Sequence, residues 1–111
     1  MLEVAEMIVL FTLTWPTTSS IEMGKAGVKN FQENPWPDFV KLTGPFYMVC
    51  EDGCKCYALI EIEKGKEDEA FKISNSRTAN YLSVPGYGGK TEILMTIEEA
   101  YPLIGMEAPR I

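Results

Sequence analysis

Apolar residues fall along this chain in four extended runs and two helical ones. Met7 to Trp15 (MIVLFTLTW) joins β-branched to aromatic residues, and Pro16 ends it because proline has no N–H to give a ladder, so a first strand is expected there. Its apolar positions lie on both sides: Val9, Phe11, Leu13 and Trp15 on one, Ile8 and Leu10 with Thr12 and Thr14 on the other. Cover on both faces is implied, at least along the first half. Ile21, Gly24, Val28 and Phe31 then recur at helical spacing after a Thr/Ser-rich start, which predicts a helix from about Ser19 to Gln32. Pro35 and Pro37 prevent it from continuing.

Phe39 to Glu51 and Cys54 to Glu63 read as two strands joined at Glu51-Asp52-Gly53, a β-hairpin. Pro45 interrupts the first of them, which predicts an edge strand with a bulge. A charged turn at Lys64 to Asp68 leads to a second helix over Glu69 to Leu82, with Phe71, Ser74, Thr78 and Tyr81 on one face and Ala70, Ile73 and Arg77 alongside. Val84 to Gly89 is rich in turn residues, and Thr91 to Thr96 is the fourth strand. Thr96-Ile97-Glu98-Glu99 fits a capping box opening a short helix that ends around Pro102 to Gly105. The order βαββαβ plus a terminal helix predicts one α+β domain over residues 1–111, a ferredoxin-like sandwich. Its four-stranded antiparallel sheet would have the order 4-1-3-2, with both long helices on one face.

Composition narrows the function. With 16 acidic against 10 basic side chains the net charge is −6, which repels phosphates and argues against nucleic acid as a partner. The chain has no histidine, which removes the commonest general base near neutral pH, the commonest zinc ligand and triad chemistry. The run Met7 to Leu13 is too short to span a bilayer, and acidic residues, not basic ones, precede it, so neither a membrane span nor a signal peptide is expected. Three cysteines and no export signal point to a reducing cytoplasm.

The sheet face away from the helices should turn polar if it meets water. It does not: strand three sets Cys56, Ala58, Ile60 and Ile62 on one side and Tyr57 and Leu59 on the other, and strand four sets Ile93 and Met95 against Leu94. A second apolar face calls for a partner or a ligand, and a homodimer is expected. With its element order, its Lys41-Leu42-Thr43-Gly44-Pro45-Phe46-Tyr47 stretch and its Glu98-Glu99-Ala100 helix, the chain resembles the small proteins of the dimeric α+β barrel class. The resemblance implies two sheets closed face to face. It leaves function open among uncharacterised proteins, cofactor-free monooxygenases and haem-binding branches, and the missing histidine counts against a histidine-ligated haem. No cofactor is expected.

Several residues are candidates for chemistry. In Cys50-Glu51-Asp52-Gly53-Cys54-Lys55-Cys56, a turn centred on Glu51 and Asp52 with a Gly53 bulge would set Cys50 opposite Cys54 with Cys56 on the same face. A turn centred on Asp52-Gly53 would instead point Cys50 to the other side. Grouped thiolates could hold a soft metal, though CxxC spacing and a fourth ligand are lacking, and small cysteines packing a sheet face is the plainer reading. Trp15, Tyr47, Tyr57, Arg77 and Tyr81 are candidates to line a pocket for a small apolar, acyl or aromatic ligand, with Arg77 reaching a ligand carboxylate. The Gly86-Tyr87-Gly88-Gly89-Lys90 loop lacks the strand-to-helix setting of a phosphate cradle and reads as a turn. Three functions follow in order: a module binding a small apolar ligand inside a dimer, a cofactor-free monooxygenase-like enzyme, and a thiol metal or redox protein.

Overall fold

A computed structural model describes residues 5–110. Four strands, β1 (Ala5–Trp15), β2 (Val40–Cys50), β3 (Gly53–Glu63) and β4 (Gly88–Leu94), form one antiparallel sheet in the order β2-β3-β1-β4. Between them run α1 (Ser20–Glu33) and α2 (Glu67–Ala79). A short helix, α3 (Ile97–Ala100), passes into a 3-10 turn at Tyr101–Ile104. The expected sheet order is present, and β2 lies at an edge with its register broken between Thr43 and Phe46, around Pro45.

Register decides which residues share the helix-covered face. Val9, Phe11, Leu13 and Trp15 on β1 stand opposite Ile60, Ala58, Cys56 and Cys54 on β3. Directly paired residues point to the same side of a sheet, so these eight form the floor on which the helices pack. The core divides in two. One cluster joins Trp15, Cys54 and Cys56 to Met23 and Ala26 of α1 and to Val84. The other joins Val9, Val40, Ile60 and Ile62 to Ala70 of α2, with Trp36 and Phe71 packed against it. On the opposite face Leu10 pairs with Leu59 and Phe46 with Tyr57, and among the described residues neither core cluster under the helices includes them.

Four sequence expectations are corrected. The stripe of α1 turned inward is Met23, Ala26 and Asn30, whereas Ile21 and Val28 are exposed at 70% and 57%. Contacts before the helix set its rotation: the Ser19 hydroxyl donates to the Pro85 carbonyl at 2.6 Å, and the Trp15 indole N–H donates to the Ser20 hydroxyl at 3.2 Å. Helix α2 begins two residues earlier than expected, where Glu67, Asp68 and Glu69 suit the positive end of a helix, and it ends at Ala79. Strand β4 starts at Gly88, three residues earlier than expected, because Gly88 and Gly89 pair with Thr14 and Leu13 and do not turn. A side chain at Gly89 would run into the Tyr87 hydroxyl, so the glycine admits that ring. The hairpin turns at Glu51 and Asp52 but matches neither expected register: Cys50 pairs with Gly53 and Val49 with Cys54. The capping box is present, with the Thr96 hydroxyl and Glu99 backbone joined at 3.2 Å and the reciprocal Glu99 carboxylate contact at 3.0 Å.

Because Ile60 is 1% exposed at the centre of its cluster, Ile60→Ala is expected to lower the free energy of unfolding by about 2–4 kcal/mol in urea titrations. Ile21→Ala on the outer face of α1 should change it by less than about 0.5 kcal/mol. Gly53→Ala should also destabilise strongly, since φ is +129° there and a Cβ would lie 2.6 Å from the Trp15 carbonyl oxygen.

Candidate functional site

Between the two core clusters the sheet and helices do not meet completely, and a cavity of about 80 Å3 opens there. Its floor comes from Phe11, Leu13, Cys56 and Ala58, one side from Leu42, Pro45 and Tyr47, and its roof from Phe31, Trp36, Ser74, Arg77, Thr78 and Tyr81. A second space of about 290 Å3 adjoins it, shares Leu13, Tyr47, Cys56 and Tyr81, and reaches Trp15, Ser20 and Met23. Side by side they fall at the lower end of the roughly 300–1,000 Å3 typical of small-molecule sites.

Arg77 is the one charged residue of this lining. Its guanidinium lies 5.2 Å from the centre of the Phe31 ring and 5.1 Å from that of Trp36, so it is held between two aromatic surfaces. One terminal nitrogen donates to the backbone carbonyls of Asn34 at 2.6 Å and Asn30 at 3.4 Å. Among the described residues no carboxylate forms an ion pair with it. Burial lowers its pKa, and the neighbouring Tyr81 offsets part of that shift. The charge is thus half-desolvated and, among the described residues, faces carbonyl dipoles and aromatic rings and no carboxylate.

Asn30 sets this arrangement. Fully buried, it donates through Nδ2 to the Arg77 carbonyl at 3.0 Å and accepts at Oδ1 from Asn80 at 2.7 Å and Asn34 at 3.3 Å. These bonds tie the last turn of α1 to the last turn of α2 and fix the height of the roof. Sequence reasoning overlooked Asn30. The available signal was its place four residues after Ala26 on the Met23–Ala26 stripe, with Asn34 a further turn along.

Cys56 is 4% exposed on the cavity floor. Burial pushes its thiol pKa up, and the hydrogen bond with the Tyr47 hydroxyl works the other way. Desolvation, with Cys56 beside it, raises the pKa of Tyr47 in turn. A thiol held protonated is a poor nucleophile and a poor metal ligand. Cys54 is also buried and free, near the Ser20 hydroxyl at 3.7 Å. The Cys50 side chain lies outside the described part of the structure; its backbone is in register with Gly53, one position out of step with Cys54. Among the described residues no group of three metal-ligating side chains converges.

Of the candidate pocket residues, Tyr47, Arg77 and Tyr81 line the cavity and Trp15 lines the adjoining space, its ring edge-on to Tyr47 at 6.4 Å between centres. Tyr57 does not join them: it pairs with Thr12 and Phe46 on the uncovered face. Tyr81 is held by stacking on Tyr87, with ring centres 5.5 Å apart. The cavity therefore lies between sheet and helices of one chain, on the side of the sheet away from the interior of an expected barrel.

These features define a ferredoxin-like α+β domain with an aromatic cavity under its helix layer. Among solved structures, the C-terminal domain of the MgtC protein from Mycobacterium tuberculosis is similar, with a TM-score of 0.53 over 85% of this chain and 94% of that one. Identity is 8%, so the likeness shows the fold alone. No protein-family model matches the chain, and no curated protein does. Among the described residues no helix is long and apolar enough to cross a membrane.

Asn30→Ala takes this partner from three half-buried groups, the Arg77 carbonyl and the Asn34 and Asn80 amides, and is expected to cost about 1–3 kcal/mol in denaturant unfolding. A second expectation concerns pH. The folded-state thiol of Cys56 titrates above its ordinary value of 9.0, so the folded protein keeps the proton after the unfolded chain has lost it. Stability should hold below that value and fall as pH rises through it, and Cys56→Ala should flatten the decline in melts between neutral and alkaline pH.

Proposed function

We propose that this chain is a small-molecule binding module that takes an amphipathic carboxylate, with an acyl or aromatic body, into the cavity under the helices. The observation that carries the reading is Arg77: a half-buried guanidinium without a carboxylate partner among the described residues, the one charged side chain in a mainly aromatic and aliphatic lining that also holds Cys56, Ser74 and Thr78. A ligand carboxylate would supply the missing counter-charge, and its body would replace water against Phe11, Phe31 and Tyr81. The hydroxyls of Ser74, Thr78 and Tyr81 are the polar groups at hand to orient it. An enzymatic role draws less support, since Tyr47 is engaged with Cys56 and Arg77 with two carbonyls.

The reading includes a homodimer. The uncovered face carries Leu10, Tyr57 and Leu59 at its centre and Phe46 and Met48, 62% and 47% exposed, toward the β2 edge. An apolar band across β2, β3 and β1, bordered on β4 by Lys90 and Glu92, supports a second copy as its cover.

Titration calorimetry with medium-chain and aryl carboxylates, each compared with its neutral primary amide, tests the site. The acids are expected to bind at least about tenfold more tightly than the amides. Arg77→Gln should abolish that difference while leaving the amides bound, and Ala58→Leu, which fills the floor, should weaken both. Equal affinity of the wild-type protein for acid and amide would remove the role given to Arg77.

A further inference from the structure

We infer that the segment following β4, residues 96–106, is an arm that docks on the uncovered sheet face of a second copy of this chain. The inference rests on the homodimer just proposed and names the element that closes it.

The arm is well formed yet leaves its own domain uncovered. Its capping box is complete, and its end is closed by bonds from the Gly105 and Met106 amides to the carbonyls of Pro102 and Tyr101, both at 3.1 Å. The hydrogen bonds of its described residues are therefore internal to it. No residue of α3 or of the following 3-10 turn is buried. Leu103, Ile104 and Met106 are 71%, 69% and 55% exposed, and Met95 at its root is 59% exposed. A rigid element with its apolar residues outermost is suited to contact and unsuited to water. The radius of gyration, 16.0 Å, also exceeds the roughly 13 Å of a compact domain of this length.

Area and charge identify a second copy as the occupant. Burying an aliphatic side chain removes roughly 100 Å2 of apolar surface. The three exposed side chains of the arm, with Met95 at its root, thus offer on the order of 250 Å2 per copy. Counting the receiving face and the twofold repeat, the contact reaches on the order of 1,000 Å2, where specific interfaces begin. On the receiving face Leu10, Leu59, Tyr57, Phe46 and Met48 form an apolar band, flanked by the Lys41–Glu61 and Lys90–Glu92 ion pairs, and Lys55 stands on the same side. Lys55 forms no ion pair among the described residues, and at the start of the arm the capping box takes up Glu99 but not Glu98. A twofold axis applies the contact twice, arm of each copy to face of the other.

Sedimentation equilibrium on the full chain tests this with two variants, Leu103→Glu/Ile104→Glu in the arm and Phe46→Glu on the face. The wild-type protein is expected to be dimeric, each variant to dissociate at least about 100-fold more readily, and far-UV circular dichroism to remain unchanged, because none of the three side chains is buried within the chain. Mixing the two variants should restore a weaker heterodimer through the one intact arm and one intact face. A wild-type monomer would overturn both the homodimer and the arm. A dimer indifferent to the arm variant, or variants that do not complement each other, would overturn the arm alone.

Discussion

Asn30 holds the helix layer together. A carboxamide has a fixed number of donors and acceptors, and burying one without partners costs more than a typical hydrogen bond contributes. Three of its bonds here go to the ends of the helices or just beyond them, to Asn34 after α1, to Arg77 in α2 and to Asn80 after α2. The two helices are thereby locked at one end at a separation set by hydrogen-bond length. Aliphatic side chains in the same place could slide and close the gap. The cavity exists because the roof is pinned by polar geometry and is not collapsed onto the floor by apolar contact.

Arg77 follows from the same constraint. Its carbonyl is fixed by Asn30, its guanidinium is drawn to the carbonyls that end α1, and Phe31 and Trp36 close over it. A side chain that would otherwise reach water is kept along the roof. The aromatic residues around it keep part of the guanidinium out of water, so its charge exerts a larger effect than it would in solvent.

Much of the fold was legible in the sequence, for reasons that belong to particular residues. Pro45 on β2 marked an edge strand and a bulge, since a missing N–H leaves few other places in a sheet. Thr96 and Glu99 marked a helix start because each can satisfy the other's backbone. What misled was α1, where Ile21 and Val28 make the more hydrophobic stripe yet face outward. Ser19 and Trp15 set the helix rotation through contacts with Pro85, distant in sequence, and with Ser20, and a periodic pattern carries no trace of those. The glycines before β4 misled for a related reason: a glycine that makes room for Tyr87 and one that makes a turn look alike in sequence. The candidate site was partly legible. Tyr47, Arg77, Tyr81 and Trp15 were identified by residue type, but Tyr57 shares that chemistry and is separated from them by the parity of one strand position. Asn30 escaped because a single asparagine within a helical pattern ordinarily marks a solvent-facing position.

The division of the core into two clusters bears on how the domain comes apart. Contiguous packing lets a small protein unfold as one unit, because loss of any part exposes the rest. Here the cluster around Trp15 and Met23 and the cluster around Ile60 and Ala70 share the sheet but are parted in the helix layer by open space. Away from the end that Asn30 ties, the helices can therefore loosen with some independence, each over its own half of the floor. A molecule lodged in that space would touch both halves and act as the piece of core the sequence omits. Its binding energy would then appear as cooperativity as well as affinity, making one folding unit out of two.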